Sequence, residues 1–200
     1  MNTPIVSALV VLIPEAETLV EDFRKRYDPS AASGVPAHVT ILFPFKTPDE
    51  VTADVIAALR KLFSEQAGFT ARFSELRQFP DAIYLAPVPA EPFRRLIKLV
   101  AGRFPETPPY GGVFAEIVPH LTVAQVGDPR RIEDIAADFR EAARDRLPIT
   151  ASVHAVSLMD NAGGPWQVRA HFPLGPDRPA RQRRLPRPPK DGSQIKRNSG

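Results

Sequence analysis

The sequence predicts an α+β fold: duplicated β-α-β-α-β units forming a pseudo-twofold, bilobal body around a central cleft. Three observations point there. Apolar runs of strand character alternate with amphipathic stretches at helical spacing. The order of these elements occurs twice, over about 5–79 and again over 82–174. A small pattern, His-x-Thr, falls at the same place in both halves. Residues 1–175 thus read as one domain and 176–200 as a tail.

In the first unit, "SALVVLI" (7–13) is rich in Val, Leu and Ile and reads as a buried strand. "PEAETLVEDFRKRY" (14–27) follows as a helix, with proline at its start and acidic residues in its first turn. "PAHVTILFPF" (36–45) reads as a strand. "TPDEVTADVIAALRKLFSEQ" (47–66) is an amphipathic helix, where Thr47 and Glu50 resemble a capping box. "FTARFSELRQF" (69–79) closes the unit as a strand. The second unit runs through the strand "AIYLAPV" (82–88), a helix over 89–104 and a strand at "VPHLTV" (118–123). An amphipathic helix over 128–147 opens at Asp128, ahead of a proline. "ITASVHAVSLM" (149–159) reads as one strand and "WQVRAHFPL" (166–174) as another, joined by the turn "DNAGG".

Composition narrows the chemistry. There is no cysteine, which excludes a thiol nucleophile, a disulfide framework and a thiolate zinc site. The apolar run from Ile5 to Ile13 is too short to span a bilayer, and it lacks the basic leader of a secretory signal. The expectation is a cytoplasmic protein without membrane attachment. The net charge of +3 hides an uneven distribution: residues 176–200 carry +6 and residues 1–175 carry −3. That tail holds five prolines and only two large aliphatic residues, so it reads as disordered and solubilising. Its charge also suits contact with RNA or another polyanion.

The chain has four histidines, and two of them, His38 and His120, are followed two positions later by Thr40 and Thr122. On a strand, i and i+2 share a face. His38 and Thr40 then face one way, with Val39, Ile41 and Phe43 opposite them in a core. His120 and Thr122 share a face likewise, backed by Leu121 and Val123. A pseudo-twofold relation brings both pairs to one cleft. Two imidazoles across a cleft suit phosphodiester hydrolysis, one as base towards water and one as acid towards the departing oxygen. The threonine hydroxyls suit the non-bridging phosphate oxygens. Neither a metal nor another cofactor is required.

"HVTILFPF" and "PHLTV" resemble the paired His-x-Thr motifs of the 2H phosphoesterase superfamily, which includes bacterial 2′-5′ RNA ligases and cyclic phosphodiesterases. The resemblance spans about residues 5–174. It implies metal-independent opening of 2′,3′-cyclic phosphates of RNA ends or nucleotides to 2′-phosphates, and in some members reversible 2′-5′ joining of RNA. It places His38 and His120 in catalysis and Thr40 and Thr122 on the phosphate. The 3′-oxygen then leaves; His38 is taken as the acid and His120 as the base, with the reverse assignment open. A non-catalytic RNA or nucleotide-phosphate binding module is the alternative reading, and a small-molecule cyclic phosphodiesterase the third. A monomer is expected.

Further residues have roles to be tested. Phe45, Tyr84, Tyr110 and Trp166 are candidates for stacking on a base. Gly111 and Gly112 mark a connecting loop or flap ahead of the second motif. His154 and His171 lack the threonine partner and read as structural or surface residues. Glu116 shares strand parity with His120 but makes a weak case for a metal. Arg72 and Arg77 read as residues of a wet strand face, with a phosphate contact as the other option.

Overall fold

The computed structural model describes residues 4–114 and 116–176. The basic tail therefore lies outside the described residues, apart from its first position. Among the described residues, eight strands form two four-stranded antiparallel sheets, with helices packed against them.

In chain order, the elements of the first half are β1 (Ser7–Leu12), α1 (Pro14–Tyr27), α2 (Pro29–Ala32), β2 (His38–Leu42), α3 (Ala53–Ser64) and β3 (Phe69–Phe79). The second half holds β4 (Ala82–Val88), α4 (Glu91–Arg103), β5 (Leu121–Gln125), α5 (Ile132–Ala143), β6 (Ile149–Val153), β7 (Ala155–Asp160) and β8 (Gln167–Pro173). The α1, β3 and β4 bounds match those read from sequence. The 47–66 helix starts later than expected, at Ala53 with Thr52 as its cap. Glu50 does accept hydrogen bonds from the Thr47 N–H (2.9 Å) and hydroxyl (2.8 Å), but in the turn ahead of the helix. The short α2, capped by Asp28, was not anticipated.

One expectation is corrected. The run 149–159 is not a single strand: it breaks at His154, and its two parts enter different sheets. The first sheet has the order β2-β1-β7-β8 and the second β5-β4-β3-β6. The halves therefore exchange strands, because β3 pairs with β4 while β7 pairs with β1. The two sheets still match element for element. β1 and β4 are inner strands of their sheets, and the motif strands β2 and β5 are the corresponding edges.

Both sheets feed one apolar core. Leu9, Val11, Val39 and Ile41 enter it from the first sheet, and Ile83, Leu85, Leu121 and Val123 from the second. α1 packs against β5 and α4 against β2, so each half's first helix covers the other half's motif strand. β1 is buried on both faces: its alternate residues Ala8 and Val10 join Val35 and Met159 in a smaller cluster, on the side that faces the cleft. This double burial accounts for its unbroken apolar sequence. No helix among the described residues is long and apolar enough to cross a membrane.

Candidate active site

A cleft of about 920 Å³ is lined by His38, Thr40, His120 and Thr122 together. The antiparallel register places Val10 beside Thr40 on the first sheet and Tyr84 beside Thr122 on the second. β2 and β5 also approach one another directly. Four residues from two sequence-distant motifs thus line one cavity.

The histidines are held alike. His38 Nδ1 lies 2.7 Å from the Pro36 carbonyl, and His120 Nδ1 lies 2.8 Å from the Val118 carbonyl. A carbonyl only accepts, so each Nδ1 carries the hydrogen and donates, leaving each Nε2 available to exchange a proton. His38 begins β2, whereas His120 sits one residue ahead of β5.

Their supports differ. α1 brackets the approach to His38: the Arg24 Nη2–H donates to the Val35 carbonyl (3.0 Å), and the Ala37 N–H donates to Glu17 (2.7 Å). Pro36, whose carbonyl holds the imidazole, lies between those two anchors. Arg24 is 1% exposed and also pairs with Asp28 at 3.0 Å. Withdrawal of the His38 ring from bulk water, reinforced by the Arg24 guanidinium, lowers the His38 pKa to about 4. Burial likewise lowers that of His120. His120 is flanked edge-on by Phe79, 5.1 Å away, and by Tyr84, 5.4 Å away, two rings that stack on each other. Both histidines are therefore neutral near pH 7.

The other expected residues divide. Tyr110 and Trp166 line the cleft. Burial raises the Tyr110 pKa, so its phenol keeps its proton, and it faces the Thr40 hydroxyl. Phe45, in contrast, is a core residue, 4% exposed and edge-on to Phe104. Tyr84 is 5% exposed and supports His120 instead of opening onto the cleft. Arg72 and Arg77 do not line the cavity, and Arg77 pairs with Glu75. His154 and His171 are exposed and outside it, with His171 Nδ1 beside the Ser157 hydroxyl at 2.9 Å. Glu116 does line it, and Gly111 and Gly112 belong to the segment that leads there, both at positive φ.

Phe43 was expected in the core opposite His38, and here the structure differs. β2 ends at Leu42, strand alternation stops, and Phe43 turns to the cleft 6.1 Å from the Trp166 ring. Sequence reading also missed Phe79, Arg24 and Asp28. A signal for the last two was present: Ala16, Val20 and Arg24 follow an i, i+4 series along the buried stripe of α1, with Asp28 four residues on at its C-cap, and a charge there is out of place without a partner.

A family model described as the 2′-5′ RNA ligase superfamily matches residues 13–165. The chain belongs to this superfamily. The resemblance read from the twin motifs is borne out. Among curated members with similar sequences, a Bacillus pumilus protein is 30% identical over 172 residues, covering 83% of this chain and 96% of its own. A Bacillus licheniformis protein is 28% identical over 172 residues, covering 83% and 97%. Both carry the provisional name of phosphoesterase. The fold is shared with solved structures. Thermus thermophilus TT0787 superposes with a TM-score of 0.60 at 21% identity, over 86% of this chain and all of that one. E. coli LigT, in a structure with 3′-AMP, gives 0.56 at 16% identity over 86% and 99%.

Proposed function

We propose that this superfamily member is a metal-independent phosphodiesterase that opens 2′,3′-cyclic phosphates to 2′-phosphates. The observation that carries it is the convergence of two histidines, each with Nδ1 donated to a backbone carbonyl and Nε2 left for chemistry, with two threonines in one cleft. One imidazole removes a proton from water as the new P–O bond forms, and the other delivers a proton to the 3′-oxygen as its bond to phosphorus breaks. The Thr40 and Thr122 hydroxyls donate to the non-bridging oxygens, where negative charge builds. With the 5′-hydroxyl of a second RNA in place of water, the same steps form a 2′-5′ phosphodiester as the 3′-oxygen leaves, which joins RNA ends. The relatives' provisional name of phosphoesterase and the 3′-AMP seen with E. coli LigT support this reading.

The surroundings also favour an assignment of roles. Desolvation and Arg24 outweigh Asp28 and keep His38 unprotonated at rest, which suits it to the base. His120 has no such cation acting on it and suits the acid once an anionic phosphate enters. This reverses the assignment taken from sequence. A substrate with sulfur at the 3′ bridging position decides it, since a thiolate leaves without a proton. His120→Ala should retain most activity on it, and His38→Ala should not.

The main test incubates nucleoside and oligonucleotide 2′,3′-cyclic phosphates with the protein in EDTA and identifies the product end. Wild type should yield 2′-phosphate on at least one of them, and His38→Ala and His120→Ala should each lose about a hundred- to ten-thousand-fold. Inactivity on both substrates, or variants matching wild type, defeats the reading and leaves a phosphate-binding module.

A further inference from the structure

The charged residues lining the cleft are Asp28, Asp81 and Glu116, and all are acidic. No lysine or arginine lines it among the described residues. Asp28 is committed to Arg24, but Asp81 and Glu116 are exposed and take part in no ion pair among the described residues. Proteins that track a polyanion do so with Lys and Arg against successive phosphates. This cleft instead presents negative charge to anything beyond the reacting phosphate. Apart from Ser30, Tyr110, Gln125, Asn161 and the motif residues, its remaining surface is apolar: Val6, Ala8, Val10 and Met159 on one side, with the Phe43–Trp166 pair and Phe114 as open aromatic faces. A volume of about 920 Å³ lies in the range for drug-sized ligands, roughly 300–1,000 Å³.

We infer that the substrate is a small cyclic phosphodiester carried on one uncharged aromatic body, with no second phosphate, and not an RNA end. The inference rests on the phosphodiesterase reading above and narrows its substrate. The body stacks against Phe43 and Trp166, the single anion meets the threonines and histidines, and Asp81 and Glu116 repel any further phosphate.

Three cyclic phosphates test it on the full-length protein at low salt: a nucleoside 2′,3′-cyclic phosphate, the same nucleoside with a 5′-phosphate added, and an oligonucleotide ending in it. kcat/KM should fall at least tenfold from the first to the second, and further for the third. The Asp81→Asn, Glu116→Gln double variant should narrow the gap between the first two. Glycerol 1,2-cyclic phosphate, which lacks the aromatic base, should be a worse substrate than the nucleoside cyclic phosphate through KM, and Phe43→Ala with Trp166→Ala should erase that difference. Equal or better turnover of the oligonucleotide or the 5′-phosphorylated substrate overturns the inference and leaves the phosphodiesterase reading standing. An unchanged gap in the Asp81, Glu116 variant overturns the role given to those carboxylates. If no cyclic phosphate is opened at all, both fall together.

Discussion

At the scale of single residues, His38 and His120 are kept neutral by the same packing that positions them. Each gives its Nδ1 hydrogen to a carbonyl two residues back, an arrangement that the local backbone supplies once the strand is in place. The cost of charging them is a stability effect. His38 falls from 6.5 in the unfolded chain to about 4 in the folded one, so between those values the unfolded state binds more protons. Its contribution is complete above about pH 6.5 and is lost as pH falls towards 4; His120 acts with the same sign. Denaturant midpoints should therefore drop between pH 7 and 4.5, and a His38→Gln, His120→Gln variant should show a shallower drop. An equal drop in both proteins would mean that other groups govern acid stability.

Among elements, α1 does the most for the site. Its Arg24 and Glu17 hold the backbone on either side of Pro36, and Arg24 is buried with Asp28 as its partner. Arg24→Met would strand the Asp28 carboxylate in the interior at a cost of about 3–5 kcal/mol. Adding Asp28→Asn should recover part of that, which chemical denaturation of the single and double variants would measure. The turn after α2 is equally constrained. Gly34 has φ +96°, and a Cβ there would lie 3.3 Å from the Trp166 carbonyl oxygen, while the Trp166 N–H donates to Ser33 at 2.8 Å. Gly34→Ala should cost roughly 1–3 kcal/mol through backbone strain. It should also displace Trp166, read as a shift in the emission of the protein's single tryptophan.

For the whole molecule, the strand exchange matters most. β3 comes from the first sequence unit but pairs with β4 and β6, and β7 returns to β1. Neither unit holds a complete sheet, and the core is shared. We expect fragments 1–80 and 81–176 to be unfolded when made alone and to regain the native circular dichroism only when mixed. A fragment that folds cooperatively by itself would show the units to be independent. The duplication was readable because matching elements keep their order and spacing; the exchange was not, because an apolar run does not state which sheet it joins. "ITASVHAVSLM" has strand composition throughout, and only the packed molecule divides it at His154.

The sequence by itself determined the α+β class, the order of the elements apart from α2 and the split of 149–159, and the four residues His38, Thr40, His120 and Thr122 as a matched set. Period and local propensity are properties of neighbours along the chain, and a motif present twice identifies itself. Tertiary structure alone decided which aromatic rings meet the cleft, turning Phe43 outward and Phe45 inward once β2 ended at Leu42. It also put Arg24 behind His38 and left only carboxylates as the charged groups of the cleft among the described residues. These are relations between residues far apart in sequence, fixed when apolar burial folds the chain and brings their elements together.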